Sequence, residues 1–231
     1  VLNTLFPDNT YANESGGDPD VIPELTYEQF LDFHRKYYHP SNSYIYLYGD
    51  MDMEEKLNWL DEMYLAAFDT LEVDSEIRMQ KPFDRVKEIE MNYSISSNES
   101  EEDNTYLSYN KVIGTSLDKE LYQAFQVLDY ALLSAPGAPL KKVLVDAGIG
   151  KDIMGSYDNG IYQPIFSIVA KNANLEQKDA FVKIIEDTLS EIVEKGIDKK
   201  SIEAGIHCPS SSAFHIAHGT PKPACHQLHL F

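Results

Sequence analysis

The sequence is poor in cysteine and in basic residues, and it has no long apolar run. Its two cysteines, Cys208 and Cys225, both lie near the end of the chain. No disulfide framework therefore holds the main body together, which is typical of a protein from a reducing compartment. No apolar run approaches the roughly 20 residues that a membrane-spanning helix needs. The opening residues VLNTLFPDNT have neither the basic lead nor the cleavage site of a signal peptide. We therefore expect a cytoplasmic chain with no membrane partner.

The shortage of basic residues also excludes one class of partner. There are 19 lysines and arginines against 38 aspartates and glutamates, which gives a formal net charge of -19. A nucleic acid or an anionic membrane is held by clustered lysine and arginine, so we expect neither as a partner. A basic or extended peptide would be attracted to such a chain. With 231 residues and 43% hydrophobic content, the chain can bury the core of one large or two modest domains.

The first part of the chain predicts a helix, a strand and a second helix. Thr26 and Gln29 have the spacing of a capping box, and aromatic residues then recur at near-helical spacing until Pro40. The next segment, SYIYLYG, is rich in aromatic and branched residues and predicts a strand that ends at Gly49. A second helix is predicted over 53–68, with apolar residues on its inner side.

A change of pattern indicates a domain boundary between residues 70 and 82. Apolar periodicity is lost there and charged residues accumulate, as in a solvated connector. After this boundary, two strands are predicted over 87–96 and 105–113, joined by the acidic run SNESEEDN. An acidic run can be a cation site, but its serines and asparagines, without a fixed glycine or alternating ligands, favour a solvated hairpin tip.

The remainder of the chain predicts further helices and strands. Helices are expected over 117–133 and 140–147, and a long helix ends at Gly196. Two strands are expected over 152–157 and 163–170. This order is typical of an α+β fold, in which an antiparallel sheet packs against helices, and not of a parallel βαβ array.

A set of short motifs resembles one family of peptidases. The motifs are SGGDP, YYHPSN and YGD in the first part of the chain, and TYLS, AGIG and QP followed by FSI in the second. Each motif is weak evidence by itself, but their order and separations are specific. Over residues 1–206 the chain resembles the presequence protease branch of the pitrilysin/insulinase metallopeptidases.

The resemblance implies that the chain holds parts of two pitrilysin-like units. Residues 1–75 would be the C-terminal part of the first unit, which carries zinc in the family, and residues 76–206 the first part of the second, metal-free unit. The family's zinc sits on an inverted His-x-x-Glu-His helix, which would lie upstream of Val1. The resemblance thus implies zinc as cofactor of the full-length protein, unfolded peptides as its substrates, and the remaining units of the same polypeptide as partners of this chain.

This chain lacks the residues that the hydrolytic chemistry needs. A zinc peptidase uses its metal to polarise the peptide carbonyl and to acidify a water, and a carboxylate to take that water's proton. The sequence contains neither His-x-x-Glu-His nor His-Glu-x-x-His. His34 and His39 have no acidic partner at ligand spacing, so structural roles are expected, with an imidazole bonded to a backbone carbonyl near Pro40. We assign no catalytic residue and no metal ligand, and expect the chain to bind no zinc and to be inactive alone.

Four residues near the motifs have predicted roles in turns: Gly16, Gly17, Pro40 and Asn42. The glycine pair is followed by no P-loop lysine and preceded by no strand, so a tight turn explains it better than a phosphate loop. Pro40 stops the preceding helix, and the Ser41-Asn42 pair turns the chain into the predicted strand.

Three tyrosines of the predicted strand, Tyr44, Tyr46 and Tyr48, alternate and therefore share one face. Packing within a sheet is the favoured explanation of such a face. The alternative is that the three tyrosines line a groove for an extended peptide.

The end of the chain differs in composition from the rest. Residues 207–231 hold five of the seven histidines, both cysteines and a single charged residue, Lys222. The family resemblance ends at Ile206. Our hypothesis is that this segment arises from a shifted reading frame or a wrongly assigned gene end. In that case the segment is not native to the fold. The alternative is a zinc site formed by its cysteines and histidines.

We therefore expect a fragment of a zinc metalloendopeptidase that degrades unfolded peptides, with this portion forming chamber wall and interdomain packing. One alternative is a non-catalytic peptide-binding or scaffold homologue of the same family. Another is a small metal-binding module built on the terminal segment.

Overall fold

The computed structural model describes residues 1–207, which fall into two compact units. Unit 1 is residues 1–82, and unit 2 begins at Phe83. The domain limits expected from composition and from the family resemblance stay a prediction. Apart from its first residue, the predicted terminal segment 207–231 lies outside the described residues.

Unit 1 consists of helices, short turns and extended chain. Its helices are α1 (Leu2–Leu5), α2 (Tyr27–Tyr37) and α3 (Met53–Met63). Single turns of 3₁₀ helix lie between or after them, at Thr10–Ala12, Ile22–Glu24, Pro40–Asn42 and Leu65–Ala67.

The starts of the two longer helices follow from their capping residues. The Thr26 hydroxyl accepts the N–H of Gln29 at 3.2 Å, and the Gln29 side chain accepts the N–H of Thr26 at 2.9 Å, so the predicted capping box is confirmed. The Asp52 carboxylate accepts the N–H of Glu55 at 3.0 Å and begins α3. The predicted helix 53–68 is too long, because α3 ends at Met63 and a separate 3₁₀ turn follows.

The strand predicted for SYIYLYG is wrong. Unit 1, all of whose residues are described, contains no strand. A strand exists only when a neighbouring strand takes its backbone N–H and C=O groups. Residues 43–48 have the composition of a strand but no such neighbour within the unit.

A buried amide ties the two ends of unit 1 together. The Gln80 side chain, 6% exposed, accepts the N–H of Asp8 at 3.0 Å and donates to the Asp8 carboxylate at 2.7 Å. The Asn9 side chain donates to the carbonyl of Arg78 at 3.1 Å. Because a buried polar group is stable only when it is hydrogen-bonded, this pairing fixes the first turns against the end of the unit.

Unit 2 is built on a three-stranded antiparallel sheet. Its strands are β1 (Thr105–Val112), β2 (Asp152–Asp158) and β3 (Ile165–Ala173), in the order β1-β3-β2. In the central strand, Ile168 pairs with Tyr109 on one side and with Gly155 on the other. The three strands predicted after residue 104 are confirmed within a few residues, and so is the α+β fold class.

The strand predicted over 87–96 is wrong. Those residues have no backbone pairing with β1, although the rings of Tyr93 and Tyr106 lie 5.7 Å apart and Glu88 forms an ion pair of 2.8 Å with Lys178. A hairpin is favoured by a short turn of two to five residues. The acidic run over 97–104 is longer, and its last residues are bonded to the end of β3 and not to a paired strand.

The helices of unit 2 are α4 (Lys119–Asp129), α5 (Pro139–Asp146), α6 (Lys178–Lys195) and α7 (199–207). Each has a sequence reason for one of its limits. Asp118 caps α4, Pro139 occupies the first turn of α5, and Gly196 at φ +82° ends α6. The Asp198 carboxylate accepts the N–H of Ser201 at 2.9 Å and caps α7. The predicted helix 117–133 is divided, because its last turn, Tyr130–Ser134, is a wider π turn.

The core of unit 2 lies between the sheet and its helices. Three strands, the π turn, α5 and α6 all contribute buried apolar side chains. The buried core cluster consists of Leu107, Ile113, Leu132, Leu133, Leu140, Leu144, Ile149, Ile153, Phe166, Ile168, Ala170, Ala173, Phe181 and Ile185. None of the helices that the structure describes is both long and apolar enough to cross a membrane.

Candidate functional site

The three predicted groove tyrosines are exposed and lie outside any helix or strand. Tyr44, Tyr46 and Tyr48 have relative exposures of 106%, 85% and 84%, so packing within a sheet, the favoured explanation, is wrong for this unit. The rings of Tyr46 and Tyr48 are nearly parallel, with centroids 6.5 Å apart, as expected for alternate residues of an extended chain. We name residues 43–48 the tyrosine segment. A peptide-binding role for it stays a prediction.

The glycine pair lies in a tight turn. Gly17 has φ +80°, a value that L side chains rarely adopt, and its N–H donates to the carbonyl of Glu14 at 3.0 Å. A Cβ at this position would also lie 2.9 Å from the Ile22 Cδ1. Gly16 has open space around its Cα, so the steric demand of the turn falls on Gly17.

A second turn connects α2 to the tyrosine segment. Pro40 is the first residue of its 3₁₀ turn, and the Asn42 side chain donates to the carbonyl of Tyr37 at 2.9 Å. The Nδ1 of His39 accepts the N–H of Ser41 at 3.2 Å, and its ring meets the edge of Phe68 at 5.2 Å. His39 thus has the expected structural role, but it bonds a backbone N–H where a carbonyl was predicted.

The acidic run of unit 2 ends in a cluster of paired polar side chains. The Asp103 N–H donates to the Asn174 Oδ1 at 2.8 Å, and the Asn174 amide donates to the Asp103 carboxylate at 2.8 Å. Lys151 lies 3.0 Å from the same carboxylate, and Asn172 donates to the Asp103 carbonyl at 3.0 Å. We name these four residues the Asp103 cluster. It fastens the acidic run to the end of β3.

Electrostatics and backbone conformation both support this structural role. The Lys151 ammonium, followed by the Asn174 amide, holds the pKa of Asp103 below its usual value. Asp103 and Asn172 have φ values of +57° and +53°, and asparagine and aspartate tolerate this conformation better than other residues with a Cβ. The sequence interpretation of a solvated tip missed this cluster. No local sequence signal could have found it, because Asp103 and Asn174 are 71 positions apart.

Removing the Asn174 amide should loosen the acidic run. In Asn174→Ala both side-chain bonds to Asp103 are lost, and we expect amide hydrogen exchange over 97–104 to become roughly tenfold faster. The measurement is exchange followed by mass spectrometry. Glu101→Gln is the matched control, because it changes an exposed residue of the same run. Unchanged exchange in Asn174→Ala would show that other contacts hold the run in place.

Asp129, the last residue of α4, is a half-buried residue that sequence analysis also missed. Its Oδ1 is shielded from solvent and has no hydrogen-bond partner, and it precedes the buried π-turn residues Ala131, Leu132 and Leu133. Desolvation raises the pKa of Asp129 to about 6. The carboxyl end of a helix disfavours a negative charge as well. The shielding of its carboxyl oxygen is visible only in the structure and not in the sequence.

Residues 1–207, which the structure describes, do not fit a catalytic zinc site. Such a site needs three protein ligands and an open position. Residues 1–207 contain no group of three histidine, cysteine, aspartate or glutamate side chains arranged to hold a metal ion. In the Asp103 cluster the carboxylate is already paired with Lys151. The cysteines of the alternative zinc site, Cys208 and Cys225, lie outside the described residues.

Comparison with known proteins identifies the family. Residues 24–207 match the family described as the peptidase M16 inactive domain. Protein HypA of Clostridium perfringens is 50% identical over 207 residues, which cover 90% of this chain and 21% of that protein. Presequence protease 1, chloroplastic/mitochondrial, of Arabidopsis thaliana is 35% identical over 88% of this chain and 19% of its own length. The mitochondrial presequence protease of Xenopus laevis is 32% identical over 90% of this chain and 20% of its own length.

Solved structures with a similar fold belong to the same group. An M16-like peptidase from Alicyclobacillus acidocaldarius aligns with a TM-score of 0.57 at 17% identity over 94% of this chain and 51% of that one. A peptidase M16 inactive domain from Pseudomonas fluorescens aligns with a TM-score of 0.64 at 19% identity over 93% of this chain and 50% of that one. The chain spans about a fifth of the length of the curated relatives named above. Because the family match covers most of the sequence, this chain belongs to the family described as the peptidase M16 inactive domain.

Proposed function

We propose that this chain is the non-catalytic part of a zinc metalloendopeptidase that degrades unfolded peptides. In this proposal the chain forms wall and packing surface of the peptide chamber, while zinc and its ligands come from other parts of a longer protein. The supporting observation is the family match over residues 24–207, combined with a sequence that holds neither form of the zinc-binding histidine motif.

The proposed partners follow from the same reasoning. They are the remaining units of an M16 polypeptide and, for the assembled protein, unfolded peptides. Relatives named presequence proteases support the peptide substrate. The formal charge of -19 supports the exclusion of nucleic acid and of anionic membranes as partners. A cytoplasmic location is proposed from the absence of a disulfide framework in the main body.

A non-catalytic scaffold or peptide-binding homologue is the second candidate. The observation that favours it is the lack of a metal-binding group among residues 1–207. The two proposals differ in one measurable respect. A wall of a peptidase should become part of an active enzyme when the zinc-bearing residues are supplied, whereas a scaffold should not.

Supplying those residues should produce peptidase activity. We expect the chain alone to leave a quenched fluorescent unstructured peptide intact, with or without added zinc. The sequence contains neither zinc-binding histidine motif, and residues 1–207 hold no group of ligands for a metal ion. Co-expression with the flanking parts of Protein HypA, from which the matched stretch is deleted, should produce hydrolysis. Chelation should abolish this activity and zinc should restore it.

The flanking parts expressed without this chain are the control. If they cleave the peptide equally well alone, the chain contributes nothing to the chamber and the proposal fails. It also fails if the isolated chain shows chelator-sensitive hydrolysis. A stable complex without activity would favour the scaffold.

A further inference from the structure

The loop between β2 and β3 begins with the Asn159-Gly160 pair, and the sequence contains no other asparagine followed by glycine. The last residue of β2, Asp158, pairs with Ile165 at the start of β3, so the loop is residues 159–164. Asparagine is a chemically labile residue, and a following glycine makes it more so, because no side chain shields the glycine nitrogen. The pair therefore marks a candidate site of covalent modification.

The structure leaves this pair accessible and without steric restraint. Gly160 is exposed and Asn159 is half-buried, and neither residue lies in a helix or strand. Apart from its chain neighbours, a Cβ added to Gly160 would have one atom within 4 Å, an Asp158 carboxylate oxygen at 3.8 Å. The same oxygen accepts the Gly160 N–H at 3.4 Å, which is long for a hydrogen bond. The backbone nitrogen of Gly160 is thus only weakly held.

The second half of the loop is fixed to the chain that follows β1. The carbonyl of Tyr162 accepts the N–H of Ser116 at 2.9 Å, and the carbonyl of Pro164 accepts the N–H of Ile113 at 2.8 Å. Gln163, between them, is 6% exposed. These contacts hold residues 162–164 in place, so the backbone at the start of the loop can rearrange without unfolding of the sheet.

We propose that Asn159 deamidates spontaneously in the folded chain and becomes a mixture of aspartate and isoaspartate. In the first step the Gly160 nitrogen bonds to the Asn159 Cγ and the Cγ–Nδ2 bond breaks. Ammonia leaves with the proton that the Gly160 nitrogen loses, and a succinimide ring remains. The reaction needs no oxidant, reductant or partner, and it is independent of the proposed function.

In the second step water opens the succinimide at either of its two carbonyl carbons. Cleavage of the bond between the Gly160 nitrogen and Cγ gives aspartate. Cleavage of the bond between the Gly160 nitrogen and the backbone carbonyl carbon of residue 159 gives isoaspartate, in which the main chain runs through Cβ and Cγ. Either product replaces a neutral amide by a carboxylate, which adds a negative charge beside Asp158.

Isoaspartate also adds a methylene group to the backbone of the loop. Because the turn sets the register of a hairpin, this change should weaken the last pairs of β2 with β3, at Asp158 and Ile165. We expect amide hydrogen exchange over 156–158 to be at least about threefold faster in the isoaspartate form than in the native chain. Unchanged exchange would overturn this structural consequence.

Peptide mapping of the native full chain by mass spectrometry, during storage at neutral pH, tests the proposal. The mass gained when an amide becomes an acid should appear in the peptide that contains Asn159, in two chromatographic forms. A methyltransferase specific for isoaspartyl carboxylates should label one form from S-adenosylmethionine. Asn172 is the internal control: its side chain donates to the Asp103 carbonyl and buried Ala173 follows it, so it should convert at least about tenfold more slowly.

Two variants test the requirement for the Asn-Gly pair. Gly160→Ala adds a methyl group in open space and should slow the conversion at least about tenfold, because the Cβ shields the attacking nitrogen. Asn159→Gln keeps the amide and the charge but requires a larger, six-membered ring, and should slow the conversion as well. Urea unfolding should show both variants to be as stable as the native chain within about 0.5 kcal/mol.

The remaining outcomes overturn the proposal. If Asn159 stays intact in the native chain but converts in the urea-unfolded chain, the fold protects the loop. Conversion of Gly160→Ala at the native rate, or of Asn172 as fast as Asn159, would show that the pair has no special reactivity. A product that is aspartate alone would indicate direct hydrolysis of the side-chain amide without a succinimide.

Discussion

Gly155→Val should destabilise unit 2 by about 3 kcal/mol or more, because there is no space for a side chain at this point of β2. A Cβ on Gly155 would lie 2.8 Å from the Leu133 Cβ and 2.9 Å from its Cγ, and these are not the mobile end of the side chain. Leu133 is 4% exposed and belongs to the π turn that closes the core, so it has no room to move away.

The measurement is urea unfolding followed by far-ultraviolet circular dichroism. Trp59 is the single tryptophan of the chain and lies in unit 1, so its fluorescence monitors the other unit separately. Gly160→Val is the matched control: its nearest neighbour would be an Asp158 carboxylate oxygen 3.8 Å from the added Cβ, so its effect should stay within about 0.5 kcal/mol.

A double variant locates the cause of the Gly155→Val effect. Leu133→Ala alone should cost about 2–5 kcal/mol through the cavity that it leaves. Combined with Gly155→Val, it removes the Leu133 Cγ and Cδ1 that the new side chain meets and leaves only the Cβ. The two changes should therefore cost less together than the sum of their separate effects, by about 1–3 kcal/mol. Strict additivity would contradict the steric explanation and point to the loss of glycine's backbone freedom.

Local signals in the sequence predict the elements of this fold well where a short-range interaction decides them. The capping box at Thr26 and Gln29 and the glycine that ends α6 each depend on residues a few positions apart. The same signals do not report whether a strand finds a partner. SYIYLYG has ideal strand composition and no strand within unit 1 to pair with, so its prediction failed.

The polar clusters were missed for a related reason. Asp103 and Asn174 are 71 positions apart, and only the fold of the sheet brings their side chains together. From the sequence, the run before Asn104 shows charge and no partner. Family resemblance, in contrast, was detectable because it depends on the order of many short motifs, and the match over residues 24–207 confirms it.

Asp129→Asn should stabilise unit 2 at neutral pH by about 1–2 kcal/mol. Burial raises the pKa of Asp129 from 3.8 to about 6, so near pH 7 the native state holds a partly buried charge that the unfolded chain exposes to water. A shift of this size corresponds to about 3 kcal/mol. We expect less, because part of the side chain stays in contact with solvent.

The sign of the pH dependence follows from the same shift. Below pH 3.8 the carboxyl is protonated in both the native and the unfolded state, so it lowers the free energy of unfolding only slightly. As the pH rises towards 6, the unfolded state releases its proton first, so the native state loses stability until the carboxylate is charged in both states. The gain from Asp129→Asn should therefore be about a third of its full value near pH 4.5 and should be nearly complete by about pH 7.

Urea unfolding of the native chain and of Asp129→Asn between about pH 4.5 and pH 7.5 measures this difference. Other carboxylates titrate in the same range, so the informative quantity is the free energy of unfolding of the variant minus that of the native chain. Glu194→Gln removes an exposed carboxylate from α6 and should show a small, nearly constant difference. The explanation fails if Asp129→Asn also shows a constant difference, or if it destabilises unit 2 at neutral pH. In either case the carboxylate has a stabilising partner, and its charge does not destabilise the native state.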